Sequence, residues 1–296
     1  MAELTIEEKI NHLISVSKMH AVLPDEYIPW DNEIKADEIY MPEYLFSLFG
    51  SPLKNDLTSD QILQLTKFEV GQIMATYAWS ETIGCLMFNE MLLSVTAMSP
   101  QGKYMVTMLI EEFRHQYMFT KAVEKIGVTP EPFSRLHRFL SFVFVKTFSA
   151  GSKYLVVLAI EQVSDVYAKH YRKSQNVFSV FKKVCELHHI EEARHMAFQK
   201  ICLEKYISNA GFFRRTKLGI YYVLTIWFMR SQYIKKAFFI NIGVNDPIFY
   251  YKAAVKNYRK IFGEHCLKGT IEYAKSNGLV NFITRPFWNL ILKIKL

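Results

Sequence analysis

A doubled Glu-x-x-His motif is the most specific chemical pattern in this sequence. Glu112 and His115 form the first copy, and Glu192 and His195 form the second copy further along the chain. Because residues three apart on an α-helix lie on neighbouring turns of one face, each motif presents a carboxylate and an imidazole to one point. Carboxylate and imidazole groups together bind transition metals, so the repeat indicates a metal site.

A further glutamate precedes each motif at the same distance. The interval from Glu81 to Glu112 equals the interval from Glu161 to Glu192. Equal spacings of this kind indicate two helix pairs related by an approximate twofold axis. A glutamate on one helix and Glu-x-x-His on the next, occurring twice, is the ligand set with which a four-helix bundle holds two metal ions.

The repeat also selects among the glutamates of the first long helix. Glu69, Glu81 and Glu90 are all candidates, but only Glu81 has a counterpart that precedes the second Glu-x-x-His motif at the same interval. Tyr77 and Cys85 lie one turn on either side of Glu81, and we expect them to be core residues.

A third imidazole is predicted at the site. His188 lies four residues before Glu192 and seven before His195, so the three side chains share one helix face. The counterpart of His188 in the first repeat is Met108, so the predicted site is not fully symmetric. His189 lies about 100° off this face and is not expected to be a ligand.

Charge supports the same interpretation. Four carboxylates that face an apolar core are costly if they are unpaired, and two divalent cations balance them. The predicted ligand stripe contains no thiolate, which favours iron, or manganese as the second choice, over a structural zinc. We expect Glu111, Glu191, Arg114 and Arg194 to form hydrogen bonds that orient the ligand histidines.

Long helices must position these residues, and the fold class predicted is all-α. N-cap residues, Gly and Pro delimit the elements. The predicted helical regions are roughly 59–98, 102–126, 132–174 with a break near 149–152, 177–209, 213–237 and a further helix after 246–247. The metal-binding bundle covers about 59–209, with additional N- and C-terminal helices around it.

Composition indicates one domain, covering residues 1–296. The chain is 50% hydrophobic and 15% aromatic, with only 12 glycines, as expected for long helices. The net charge of +8 is scattered along the chain, which argues against nucleic acid as a partner. Two apolar stretches, 139–160 and 218–229, fall short of about 20 uninterrupted apolar residues, so we expect no integral membrane segment.

Four cysteines without CxxC spacing indicate reduced thiols, and the acidic N-terminus does not resemble a signal peptide, so a cytoplasmic location is predicted. The C-terminal segment from Phe287 has an apolar stripe beside Lys293 and Lys295. Packing against the bundle is favoured over membrane binding.

The order and spacing of these residues resemble the para-aminobenzoate N-oxygenase family, the AurF-like group. The mark of the group is the additional histidine four residues before the last Glu-x-x-His, which is His188 here. The resemblance covers roughly residues 60–200 in motif terms. Glu111 stands where the family often has an aspartate.

The resemblance implies a ferritin-like bundle whose di-iron(II) form reacts with O2 to give a peroxo-di-iron(III) intermediate that transfers oxygen to an amine. It also implies ligand roles for seven residues: Glu81 and Glu161 as carboxylate ligands, Glu112 and Glu192 as bridging or chelating carboxylates, and His115, His188 and His195 as imidazole ligands.

The predicted function is therefore an O2-dependent di-iron monooxygenase, in first place an N-oxygenase that converts a primary (aryl)amine to a hydroxylamine or nitro product. A di-iron hydroxylase or desaturase acting on a carrier-bound acyl or aminoacyl substrate, and a ferritin-like iron-binding protein, are the alternatives. Because the chain contains no GxGxxG fingerprint, an external electron donor, a reductase or ferredoxin, is expected. An acidic carrier protein and a homodimer are further partners left open.

Overall fold

The computed structural model describes residues 4–294 and residue 296. Within them the chain is helical, and the β-structure in this part is a single parallel bridge between Ile39 and Val177. The predicted all-α fold class is confirmed. The helices are α1 (Ile6–Met19), α2 (Pro24–Tyr27), α3 (Ser59–Leu92), α4 (Pro100–Ile126), α5 (Arg135–Thr147), α6 (Ala150–Lys173), α7 (Ser179–Ser208), α8 (Phe212–Arg230), α9 (Lys236–Asn241), α10 (Pro247–Cys266), α11 (Lys268–Ser276) and α12 (Arg285–Phe287).

Four long helices form the central bundle. Helix α3 packs along α4, and α6 packs along α7, while α4 also contacts α7 and α3 contacts α6. Helices α4 and α7 run antiparallel, because Glu111 on α4 bonds to His195 on α7 while His115 bonds to Glu191. The bundle therefore brings both Glu-x-x-His motifs to one level.

Local sequence signals begin the first pair of bundle helices. Thr58 and Gln61 form a capping box at the start of α3. Ser99 caps α4 by accepting a hydrogen bond from the backbone of Gly102, and Pro100 occupies the first turn. Gly127, with a φ of 73°, ends α4 in the left-handed conformation that glycine adopts without strain.

The end of α3 was predicted wrongly. The spacing predicts a helix that reaches about Met98, whereas α3 ends at Leu92. The Ser94 hydroxyl donates to the carbonyl of Met91, and the chain then turns toward Gly102. A Cβ atom on Gly102 would lie 2.4 Å from the carbonyl oxygen of Thr96, so this early turn depends on glycine there.

The helix predicted over 213–237 is also shorter than expected. Helix α8 ends at Arg230, whose guanidinium donates to the carbonyl oxygens of Ile291 and Leu292, both at 2.9 Å. The C-terminal segment is thereby held on the protein, and Trp288 is fully buried. Its packing agrees with the interpretation favoured from the sequence, although Lys295 lies outside the described residues.

The outer helices cover the bundle. Helix α1 packs across α4 and α7, α8 packs on α6, and α10 contacts α6, α9 and α11. Among the residues that the structure describes, no helix combines the length and apolarity that crossing a bilayer takes.

Candidate metal centre

Seven predicted ligand residues converge inside the bundle. They come from α3, α4, α6 and α7, and each is at most 2% exposed. The residues are Glu81, Glu112, His115, Glu161, His188, Glu192 and His195. The structure therefore places all of them in the core, on inward faces of the four bundle helices.

Six of the seven form two overlapping groups. The first is Glu81, His115, His188 and Glu192, and the second is Glu112, His115, Glu192 and His195. In each group one nitrogen or oxygen atom per residue lies within 4.8 Å of the others. His115 and Glu192 belong to both groups, so the two candidate cation positions are adjacent.

The distances between imidazole nitrogens and carboxylate oxygens are short across both groups. His195 Nδ1 lies 3.1 Å from Glu112 Oε1, and His115 Nδ1 lies 3.3 Å from Glu192 Oε1. His188 Nε2 lies 3.1 Å from the same Glu192 oxygen and 3.4 Å from Glu81 Oε1. Glu192 Oε1 is thus close to two imidazoles from two helices.

Glu161 belongs to neither group, although it is fully buried beside them. Its Oε1 accepts a hydrogen bond from the side-chain amide of Gln199, and its Oε2 has no hydrogen-bond partner among the described residues. Gln199 was not singled out from the sequence. Its position one turn after His195, on the ligand face, is the signal that identifies it.

The two motif histidines are held by a reciprocal pair of hydrogen bonds between α4 and α7. His115 Nε2 donates to Glu191 Oε2 at 2.8 Å, and His195 Nε2 donates to Glu111 Oε2 at 2.7 Å. Because a carboxylate only accepts, this contact keeps the proton on Nε2 and turns the Nδ1 lone pair toward the cluster.

Two arginines support these outer carboxylates. Arg194 Nη2 donates to Glu111 Oε1 at 2.8 Å, and Arg114 Nη2 donates to Glu191 Oε1 at 3.3 Å. The two glutamates and the two arginines therefore all lie in positions from which they can orient the ligand histidines. Each Glu–Arg pair balances its own charge, so Glu111 and Glu191 add no net negative charge to the site.

The N-terminal segment anchors both arginines. Arg194 Nε donates to Ser17 Oγ at 2.9 Å, and Arg114 Nη1 donates to the carbonyl oxygen of Val22 at 3.1 Å. No periodic pattern links residues so distant in the chain, so this contact could not be read from spacing.

The residues that were not chosen as ligands, Glu69, Glu90 and His189, have other partners. Glu69 accepts hydrogen bonds from the backbone and hydroxyl of Ser47, and Glu90 pairs with Lys153 at 2.6 Å. His189 bonds through Nδ1 to an aspartate on α6. The choice of Glu81 on α3 agrees with this geometry.

Comparison with known sequences identifies the family. The sequence model of a family described as P-aminobenzoate N-oxygenase AurF matches residues 4–275. The chain belongs to the AurF family. This is a family of di-iron oxygenases with a ferritin-like all-α fold, so the resemblance drawn from the motifs is confirmed and covers most of the chain.

Curated relatives add no assigned activity. Uncharacterized proteins of Mycobacterium bovis and of two strains of Mycobacterium tuberculosis are 27% identical over 133 residues. This match covers 43% of the chain and 38% of each relative. The chain thus matches less than half the length of these relatives.

The inward carboxyl groups of this AurF-family chain differ in pKa. Burial and repulsion between carboxylates raise some of these pKa values, and neighbouring imidazoles lower another. Burial and the charge of Glu112 raise the pKa of Glu81 to about 8. Burial and the charge of Glu192 raise the pKa of Glu161 well above its usual range. Burial also raises the pKa of Glu112, but the imidazoles of His195 and His115 outweigh it and lower the pKa to about 2.

The pKa values of the cluster imidazoles shift in the direction opposite to the one that burial alone would give. Burial lowers the pKa of His188, but the carboxylates of Glu192 and Glu81 raise it to about 9. The pKa values of His115 and His195 are likewise raised well above 6.5 by the surrounding carboxylates, against the effect of burial. Positive charge is therefore strongly favoured at this point in the core.

The donor set fits the di-iron centre of the AurF family. Several buried polar atoms of the cluster have no hydrogen-bond partner in the part of the chain that the structure describes: Glu112 Oε1, Glu161 Oε2, both carboxylate oxygens of Glu192, and His195 Nδ1. Buried polar atoms normally have partners. Carboxylate oxygens and imidazole nitrogens that converge without partners are the ligand types that iron and manganese take.

Proposed function

We propose that this chain is an O2-dependent di-iron monooxygenase that N-oxygenates a primary amine, in first place an arylamine, to a hydroxylamine or nitro product. The pair of overlapping groups that share His115 and Glu192 carries the proposal, because it offers adjacent positions for two cations. Membership of the AurF family supports an oxygenase reaction.

All seven inward residues are proposed as metal ligands. Glu112 and His195 belong to one group, Glu81 and His188 to the other, and Glu192 and His115 to both. His115 has one free lone pair, on Nδ1, and would bind one ion, whereas the two oxygens of Glu192 could serve both. Glu161 is proposed as a carboxylate ligand because its Oε2 has no hydrogen-bond partner among the described residues. When bound, the iron pair would supply activation of O2 and the oxidising power of the reaction.

The protein residues would hold and orient this centre. Glu191 and Glu111 keep the protons of His115 and His195 on Nε2, which leaves Nδ1 free to bind metal. Arg114 and Arg194 neutralise those two carboxylates and hold them in place. The four long helices exclude water from the cluster, since its side chains are almost completely buried.

The finer assignments are proposals of the same kind. We propose iron rather than manganese, a small-molecule amine substrate, an external reductase or ferredoxin as electron donor, and a cytoplasmic location. An acidic carrier protein and a homodimer fit the same proposal. The oxygen intermediate that the family resemblance implies stays a prediction.

The test is to load the protein with iron(II) without oxygen, add O2, and analyse candidate amines by mass spectrometry. We expect oxygen-dependent addition of one or two oxygen atoms at nitrogen. Oxygen at carbon, or a new double bond in a carrier-bound acyl chain, would instead support the hydroxylase or desaturase alternative. Iron uptake into a large cage on a sizing column, with no amine oxidised, would support iron storage.

A further inference from the structure

A row of buried aromatic rings leads outward from the candidate metal centre. The ring of Tyr77 is parallel to that of His188 within 3°, and their centroids are 6.5 Å apart. Tyr233 follows at 6.1 Å from Tyr77, and Tyr258 follows at 6.3 Å from Tyr233. All three tyrosines are buried, so neighbouring rings connect His188 to α10 without an intervening solvent gap.

The row ends next to a basic surface. Tyr258 lines a cavity of about 230 Å³ together with Arg230 and Arg259. Arg259 also lines a neighbouring cavity of about 650 Å³. The other charged residues of that larger cavity are Lys256, Lys260, Lys293 and Glu264.

Positive charge dominates this surface, which we call the α10 basic surface (Lys256, Arg259, Lys260 and Lys293). Its four cations face one carboxylate, Glu264. Within the described part of the chain, none of the four makes an ion pair. Their charge is therefore free to attract an acidic partner, and such attraction raises the rate of encounter and selects the partner.

We propose that the α10 basic surface docks an acidic protein that carries single electrons, and that the row Tyr258, Tyr233 and Tyr77 is the path of the electron to the metal centre. The inference rests on the proposed function, in which the oxygenase receives electrons from a separate donor. Electron tunnelling weakens steeply with distance through the protein, and successive rings shorten each gap. This path is what distinguishes the surface from other basic regions as the docking site.

The electron balance is simple. In each encounter the carrier would lose one electron, and a bound metal pair would gain it. Two encounters deliver the two electrons that, with two protons from solvent, convert O2 and an amine to a hydroxylamine and one water. The tyrosines serve only as a path, and none of them gains or loses a proton.

The first experiment uses the iron-loaded full chain and a plant-type [2Fe–2S] ferredoxin as the acidic probe. Binding is measured by calorimetry at low and high ionic strength, and electron transfer by stopped-flow oxidation of the reduced ferredoxin. A charge-reversal variant should bind at least about tenfold more weakly at low salt and react correspondingly more slowly. Its substitutions are Lys256→Glu, Lys260→Glu and Lys293→Glu.

A matched variant reverses three exposed lysines outside the surface and should bind ferredoxin with close to wild-type affinity. Its substitutions are Lys103→Glu, Lys200→Glu and Lys217→Glu. Equal weakening by both variants would overturn the proposal, because total charge alone would then explain binding. The proposal would also be overturned if the wild-type protein bound duplex DNA but not ferredoxin, and if only the Lys256, Lys260 and Lys293 variant lost the DNA binding.

Changes to the ring row test the path separately from docking. Tyr233→Phe keeps the ring and should leave the rate of electron transfer unchanged, while Tyr233→Leu should lower that rate without changing ferredoxin affinity. An equal rate in Tyr233→Leu, or a loss in Tyr233→Phe, would contradict the proposed path. Because the readouts are binding and ferredoxin oxidation, they remain informative even if no amine is oxidised.

Discussion

At the scale of single residues, Glu111 and Glu191 have a different task from the glutamates that face the cluster. Each accepts a hydrogen bond from the Nε2–H of a histidine on the opposite helix and pairs with an arginine. Their carboxylates hold an imidazole orientation rather than offering an oxygen to a cation. Replacing one should therefore weaken metal binding without abolishing it.

We predict that Glu111→Gln lowers iron affinity by about 10- to 100-fold, the usual effect of losing a charged group that orients a ligand. The amide oxygen can still accept the hydrogen bond from His195, but Arg194 loses the closer of its two carboxylate partners and keeps Glu191 at 3.9 Å. Competition with a chelator measures the affinity. Glu124→Gln, at an exposed position of the same helix, is the control, and equal affinity in the two variants would contradict the assigned role.

Glu69 provides a pH test of the core. Burial raises its pKa from 4.5 to about 8, against the hydrogen bonds from Ser47. The folded state thus binds the proton more tightly than the unfolded state, so stability is greatest below the unfolded pKa and is lost as pH rises from 4.5 toward about 8.

We predict that Glu69→Gln, which cannot ionise, becomes more stable than the wild type as pH rises through this range. Thermal unfolding of both proteins at several pH values gives the difference in Tm. A difference in Tm that stays constant with pH would show that the Glu69 pKa is not raised. Glu124→Gln again serves as the control.

The seven candidate ligands could be predicted because helical spacing is a local property that repeats in the sequence. The contacts by which the N-terminal segment holds Arg114 and Arg194 could not be predicted. Ser17 reaches Arg194 across 177 residues of chain, and the packing of α1 on the bundle decides that contact.

At the scale of helices, starts were easier to predict than ends. Thr58 and Ser99 begin α3 and α4 with side-chain hydrogen bonds that a short motif encodes. The ends of α3 and α8 depend on tertiary contacts: Gly102 admits the backbone of the preceding turn, and Arg230 binds carbonyls of the C-terminal segment. A sequence pattern does not contain those distances.

Gly219 tests such a contact on α8. A Cβ atom there would lie 2.2 Å from the carbonyl oxygen of Leu279, so Gly219→Ala should force the two segments apart and destabilise the protein by about 1–3 kcal/mol. A Cβ atom on Gly269 in α11 would meet no other atom within 4 Å, so Gly269→Ala is the matched control. In denaturant unfolding, the midpoint concentration should be lower than that of the wild type for Gly219→Ala and unchanged for Gly269→Ala.

At the scale of the whole molecule, burial restricts access to the candidate metal centre. The seven inward side chains are at most 2% exposed. A cavity of about 610 Å³ between α3 and α5 is lined by Trp79, Leu86 and Phe142 among others, but by none of the seven. A substrate at this cavity would have α3 between itself and the cluster.

We also predict that residues 1–296 unfold as one domain. Helix α1 and the turn after it hold both arginines of the centre, and the C-terminal segment packs on α8, so the outer parts and the bundle support one another. Far-ultraviolet circular dichroism and tryptophan fluorescence should give the same unfolding midpoint. Two separate transitions would show that the bundle and its covering helices are distinct units.

The most direct test of the dinuclear centre is the metal content of the purified chain after anaerobic loading with iron(II). We expect about two iron ions per chain for the wild type and for Glu124→Ala. We expect Glu192→Ala to lose most of this iron, with helix content by circular dichroism unchanged, because Glu192 belongs to both ligand groups. A wild-type chain that binds no iron, or a Glu192→Ala variant that keeps both ions, would contradict the proposed dinuclear centre.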